Sequence, residues 1–255
     1  MCLINLHFQQ HANYKLIVAA NRDEFYDRPT KQAHFWDDKP FILAGRDLRQ
    51  MGTWMGITKN GRFAALTNYR DPSQAETGKR SRGSIVTNFL SGNVKPIEYL
   101  SSLQKDKDNF AGFNVILGSS DSLYYYSNQE NKIRPINDGT HSLSNHLLNS
   151  PWPKVTKGRG KLKEYVQTHP EMIHDDLLQL VADAEMAEDH ALPDTGVGLK
   201  LERYLSPLFI KADGYGTRAS TILTIDINKM VHFTERTYEG GIAKNEVSYH
   251  FKINS

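Results

Sequence analysis

C-L-I-N-L-H-F-Q-Q-H-A-N-Y-K-L-I-V-A-A-N-R-D-E, residues 2–24, decides how the rest of the chain is read. Cys2 to Phe8 is an apolar run with partial alternation and Lys15 to Ala20 is a second, with His11-Ala12-Asn13 as a turn between them. The chain is therefore expected to open with a β-hairpin. Asn21-Arg22-Asp23-Glu24 follows as four polar residues and Asp27-Arg28-Pro29 as a turn signal, which together predict a loop at the strand's end. Cys2 is the chain's one cysteine. Removal of Met1 would leave its thiol beside a free α-amine, which titrates at about 7.7 to 8.0 and can take the thiol's proton without a histidine. Position alone favours a plainer reading, a small buried residue opening an edge strand.

Working outward, Thr53–Thr58 and Phe63–Asn68 are β-like runs joined by Lys59-Asn60-Gly61-Arg62, and Asn-Gly is a strong hairpin signal. Ser84–Leu90 and Pro96–Leu103 read as helices, the second with Pro96 suited to a first turn and Ile97, Leu100 and Leu103 on one face. Phe113–Leu117 and Ser122–Tyr126 form another strand pair, and His141–Ser144 a short strand ending at Asn145. Lys154 to about Ala187 is expected to be mostly helical, and Ala219–Ile225, Met230–Tyr238 and Glu246–Ile253 to be strands. Strands, helices, strands, helices and strands again fit one domain over residues 1–255, an α+β four-layer α-β-β-α sandwich.

Composition narrows the function classes. A 39% hydrophobic share with 24% charged residues is that of a globular chain, and a net charge of +2 gives no general attraction to nucleic acid. The cluster Lys79-Arg80-Ser81-Arg82, in the polar stretch Asp71 to Gly83, is read as a solvated loop. No secretory signal opens the chain and no segment reaches the about 18 apolar residues of a spanning helix, which predicts a cytoplasmic protein with at most transient membrane contact. The ten histidines fall in no specific metal-ligand spacing. Trp36, Trp54, Trp152 and Tyr124–Tyr126 are expected in the core, and D-T-G-V-G at 194–198 is a loop.

Several segments together resemble a known family: N-R-D-E at 21–24, G-R-D at 45–47, G-T-W-M-G-I-T-K-N-G-R-F-A-A-L-T-N-Y-R from Gly52, S-R-G at 81–83 and L-S-N-H-L-L-N-S-P-W-P-K-V from Leu143. They identify the chain as a member of the NRDE family, relatives of the transport-and-Golgi-organisation proteins. That family is similar in motif order to the choloylglycine hydrolase and penicillin V acylase group of N-terminal-nucleophile hydrolases, which cut amide bonds with an N-terminal cysteine. The resemblance implies Cys2 as nucleophile and Asp23 as the carboxylate steadying its amine. The group's arginine falls on Ala20, whereas this chain offers Arg22. Asn68, through its backbone N–H, and Asn145, through its side-chain amide, are implied as the oxyanion donors, each worth about 3 to 4 kcal/mol in a dry site. Arg218 matches a late arginine that would lower the thiol's pKa.

The family resemblance thus implies one of two functions. In the first, a small-molecule amide or acyl substrate is hydrolysed at Cys2 and no cofactor is required. In the second, the protein is a non-catalytic carrier of haem or lipid.

Overall fold

The computed structural model describes residues 2–73 and 77–254, so Met1, Ser255 and Gln74-Ala75-Glu76 of the Asp71–Gly83 stretch lie outside the described residues. In chain order the strands and helices are β1 Cys2–Phe8, β2 Tyr14–Phe25, β3 Thr30–Phe35, β4 Ile42–Asp47, β5 Met55–Thr58, β6 Phe63–Asn68, α1 Gly83–Ser91 and α2 Pro96–Lys105. They continue with β7 Phe113–Gly118, β8 Leu123–Ser127, β9 Lys132–Pro135, β10 Gly139–Leu143, α3 Pro153–Thr168, α4 His174–Val181 and α5 Leu199–Leu205. β11 Lys211–Ala212, β12 Tyr215–Asp226, β13 Met230–Glu239 and β14 Ile242–Lys252 close the chain. Contacts divide it into two compact units: residues 1–27, 138–144 and 148–251 form the first, and residues 28–137, 145–147 and 252–255 the second.

The first unit is built on a sheet of order β10-β1-β2-β12-β13-β14, with β11 paired to β12. β1, β2 and β12 sit at its middle, and all seven residues of β1 are buried. One face of the sheet carries helices: Ile17, Ala19 and Ile222 pack against Leu162 and Val166 of α3 and Leu177, Leu178 and Val181 of α4. Burying such aliphatic side chains contributes about 1.5 to 3 kcal/mol each. Asn5 on that face donates to the Ala19 carbonyl at 3.2 Å and accepts from Ser142 Oγ at 2.7 Å, so a polar residue mid-strand is satisfied by both neighbouring strands. A side chain at Gly158 of α3 would collide with the Asn5 carboxamide, which explains a glycine inside a helix. α3 starts at Pro153, with Trp152 in extended geometry before it. The turn leading there is locked by Asn149, whose N–H and side chain bond Ser142 at 2.8 and 2.9 Å.

Three imidazoles stack at the outer side of this unit. His174, at the start of α4, lies 3.5 Å from His232 of β13 centroid to centroid, and His232 lies 3.8 Å from His250 of β14. His174 is held by Thr234 and Thr224 at 2.8 and 3.2 Å, and His232 by Ser248 at 3.0 Å.

The second unit is a meander, β3-β4-β5-β6-β7-β8-β9, with every pairing antiparallel between sequence neighbours. α1 and α2 cover it: Ile85, Val86, Phe89 and Leu90 of α1 and Leu100 and Leu103 of α2 form one core with Ala44, Ala64, Leu66, Val115, Leu117 and Tyr126. A Cβ at Gly56 would stand 2.8 Å from Ala44 Cβ and 3.0 Å from Leu90 Cδ1, so this glycine lets α1 lie close on the sheet. Gly52 and Gly83 meet in the same way, an added Cβ at Gly52 falling 2.8 Å from the Gly83 carbonyl carbon. That close approach ties the G-T-W segment to S-R-G.

The expected hairpins and helices are present, with three differences. N-R-D-E is no loop: β2 runs through it to Phe25, because β1 and β12 pair with it on both sides and its buried polar groups find partners inside the unit. The helical stretch expected to reach Ala187 breaks at His169 and ends at Val181. β3, β4, β9 and α5 are further elements; β3 and β9 are mostly solvated edge strands, without the apolar alternation that marks a half-buried strand. Among the described residues no helix is long and apolar enough to cross a membrane.

Candidate active site

Cys2 opens β1, buried, directly opposite Arg22 of β2. Opposed residues of an antiparallel pair share a face of the sheet. Because β2 remains a strand past Ala20, Arg22 stands two residues along on Ala20's face, beside the thiol. Burial pushes the Cys2 thiol up to about 11, with the Asp23 carboxylate adding to the rise and the Arg22 guanidinium opposing it. The thiol is thus protonated at neutral pH, and chemistry on it needs a base that takes the proton at the moment of attack.

Asp23 alternates to the helix-bearing face. Its Oδ1 accepts a hydrogen bond from Thr217 Oγ1 at 2.7 Å, across the β2–β12 pairing. Burial raises its pKa, while the charge of Lys154 on α3 and the Thr217 hydrogen bond counter that rise. Asn21, on the same face, donates to the Val181 and Leu208 carbonyls at 2.8 Å each and accepts from Ser220 Oγ at 2.6 Å. Its amide is spent on tying the sheet to the layer above it.

Arg218 enters the site through an irregularity. Thr217 pairs with Asp23 and Ala219 with Arg22, which leaves Arg218 as the extra residue of a β-bulge in β12. A bulge re-aims a side chain next to a site. Arg218 Nη1 donates to the Phe25 carbonyl at 3.2 Å, and its pKa is lowered by burial and then by the neighbouring charge of Arg22. Among the charges that shift the Cys2 thiol, Arg22 stands and Arg218 does not. Arg218 therefore belongs beside Arg22, the residue opposite Cys2.

Asn68 and Asn145 belong to the second unit, which brings them together: Asn145 Nδ2 donates to the Asn68 carbonyl at 2.9 Å, and the Arg70 N–H donates to the Asn145 carbonyl at 2.7 Å. Asn145 is fully buried, and its segment is pinned by Asn114 Nδ2 on the His146 carbonyl at 3.0 Å and by the Tyr69 and His146 rings, 5.2 Å apart. In the first unit Ser144 Oγ donates to the Cys2 carbonyl at 3.0 Å. Six residues were expected at the site, and they fall into two groups, Cys2, Arg22, Asp23 and Arg218 in one unit and Asn68 with Asn145 in the other.

Thr217, Lys154 and Tyr26 were not singled out by the sequence. Thr217 and Lys154 reach Asp23 from about 130 to 190 residues away, as the hydrogen bond and the electrostatics show, and no spacing rule joins such positions. Tyr26 had a local signal, its place two residues after Glu24, which a loop reading of N-R-D-E concealed. Among the described residues no group of three or more His, Cys, Asp or Glu is placed to hold a metal ion.

A family model described as Transport and Golgi organisation 2 matches residues 1–240. The Transport and Golgi organization protein 2 homolog of Homo sapiens is 36% identical over 257 residues, covering 93% of each chain. The Mus musculus homolog is 35% identical over the same span, and the Drosophila melanogaster protein 28% identical over 259 residues, covering 91% of this chain and 89% of its own. Among solved structures, a conjugated bile acid hydrolase from Clostridium perfringens superposes with a TM-score of 0.52 at 8% identity, covering all of this chain and 97% of the other. A variant of that hydrolase gives 0.50 at 9% identity, with 99% and 98% covered. The fold class expected from the sequence, α+β of the N-terminal-nucleophile hydrolase type, is the one found.

Proposed function

The chain belongs to the Transport and Golgi organisation 2 family, and from that premise we propose that it is an N-terminal-cysteine hydrolase of amide or related acyl bonds, with Cys2 as nucleophile once Met1 is removed. The observation that carries the reading is the placement of Cys2 on a central, fully buried strand, directly opposite a buried arginine and one strand from a buried aspartate. A cysteine that only filled space would need neither charge beside it.

The chemistry follows from the free amine. Its neutral form takes the thiol proton as sulfur attacks the substrate carbonyl, giving a tetrahedral oxyanion. The resulting ammonium returns the proton to the leaving nitrogen as the C–N bond breaks, leaving a thioester on Cys2. Water, deprotonated by the same amine, then attacks the thioester, releasing the acid and restoring the thiol. Arg22 stabilises the developing negative charge at sulfur, and Asp23 the ammonium. The family resemblance supports Asn68 and Asn145 as oxyanion donors.

Burial raises the thiol's pKa, so it reacts only when a base is in place, which the amine supplies in this scheme. Intact mass of protein from its native host, combined with thiol labelling, tests it: loss of Met1 and a labelled Cys2 are expected. Met1 retained on all molecules would overturn it, as would a hydrolysis that Cys2→Ala leaves unchanged. The substitution should lower turnover by at least about 1,000-fold, the scale on which nucleophile removal acts.

A further inference from the structure

Two polar atoms at and just beyond the end of β2 have no hydrogen-bond partner although they are buried: Arg22 Nη1 and Tyr26 Oη. Buried donors without partners cost about 1 to 3 kcal/mol each, more when charged, so a native structure that keeps two of them four residues apart invites a ligand. Arg22 is only 9% exposed, and the acid nearest it, Glu24, stands 3.7 Å away, too far for a hydrogen bond. Tyr26 follows directly on β2, its N–H bonded to the Gly214 carbonyl at 2.9 Å, and its hydroxyl lies where a side chain at position 216 would stand. Gly216 is what admits the phenol there. The bulge adds a third donor-bearing side chain, since Arg218 is set beside Arg22 and shares the electrostatic surroundings of Tyr26.

Two guanidiniums side by side repel, and such a pair is stable when an anion lies between or before them. The geometry points to a carboxylate: we infer that Arg22, Arg218 and the Tyr26 hydroxyl form a seat for the carboxylate of a small molecule. A guanidinium edge matches a carboxylate in-plane and bidentately, and a phenol donates a third hydrogen bond. Glu24 at 3.7 Å from Arg22, with Glu239 and Asp27 in the surroundings of Arg218, already offsets part of the positive charge, which favours a monoanion over a dianion.

The proposal deepens the hydrolase reading by naming the ligand's charge, and it rests on that reading only for what happens after binding. The test therefore measures binding alone. Octanoate and octanamide, equal in size and apolar body but not in charge, are titrated against full-length Cys2→Ala protein by isothermal calorimetry. Octanoate is expected to bind at least 10-fold more tightly, and Arg218→Met should abolish that preference while Tyr26→Phe reduces it about 3- to 10-fold. Arg218 is half-buried, so its variant is expected to fold, and a thermal melt on each variant verifies this. Equal affinity for acid and amide overturns the proposal, and so does a preference that survives Arg218→Met and Tyr26→Phe in folded protein. The two readings separate cleanly. Acid preference without Cys2-dependent turnover keeps the seat and removes the hydrolase, and turnover without acid preference does the reverse.

Discussion

Arg22 and Arg28 lie six residues apart, one in each unit, and both stand next to an aspartate in sequence. Their surroundings differ. Arg28 gives Nε and Nη2 to the two oxygens of Asp47 at 3.1 and 2.6 Å, a bidentate pair that fixes the entry to β3 against the end of β4. Arg22 is more deeply buried and yet leaves Nη1 with no partner. An arginine whose donors are spent on its own chain is architecture, and one that keeps a buried donor in reserve is available to something that arrives from outside.

The sharpest break of the comparison is a pair of matched substitutions. Arg22→Met should lower turnover on any hydrolysed substrate by about 100-fold or more, since it removes charge beside the nucleophile, with little loss of stability because a buried donor without a hydrogen-bond partner goes too. Arg28→Met should leave turnover within about twofold and cost about 1 kcal/mol, the usual worth of a partly exposed bidentate pair. Steady-state kinetics and urea melts on both variants decide it; the reverse assignment of effects would erase the distinction. Next in size is Gly158→Ala, which forces a methyl into the Asn5 carboxamide and should cost about 1 to 3 kcal/mol. Gly160, one turn-fraction away with open space around it, should tolerate alanine and even gain a few tenths of a kcal/mol. Equal melting shifts for the two alanines would show that α3 does not rest on Asn5.

The smallest expected effect concerns the histidine stack. Burial and the neighbouring imidazoles push His174 down to about 3 and His232 to about 4, against an ordinary value near 6.5. Both groups thus bind protons more readily unfolded than folded, so stability is full above about pH 6.5 and falls as pH drops toward 4. Arg236, Asp175 and Glu246 are the charged groups paired along the same strip. Double replacement His174→Gln and His232→Gln should flatten the melting temperature between pH 6.5 and 4.5. A variant that loses stability with acid as steeply as the parent would assign that slope to other groups.

How far the sequence carried depended on where partners lie along the chain. The hairpin at 53–68 was legible because Asn60-Gly61 sits between alternating runs, and Gly61 does adopt a left-handed φ of 81°. β2 beyond Ala20 was not, since four polar residues announce solvent unless their partners are known. Those of Asn21 are at 181, 208 and 220, and that of Asp23 at 217. α5 inverts the ordinary pattern: Leu199 and Leu201 are exposed, while Glu202 is buried and accepts the Thr195 N–H at 3.0 Å, so periodicity misleads there. Cys2, Arg22 and Asp23 were found through position and resemblance, and the bulge that redirects Arg218 is a property of pairing which no single strand displays.

The pairing of β2 with β12 also sets a clock. Asp23 and Thr217 are 194 residues apart in sequence, and a ribosome adding about 5 to 20 residues per second needs roughly 10 to 40 s to cover that distance. During synthesis the amino-terminal hairpin emerges first and waits, with one long edge of β2 open, until nearly the whole chain has followed. On the hydrolase proposal, removal of Met1 would have that interval in which to act before β12 closes on β2, so a step in maturation would be timed by the order in which the strands are made.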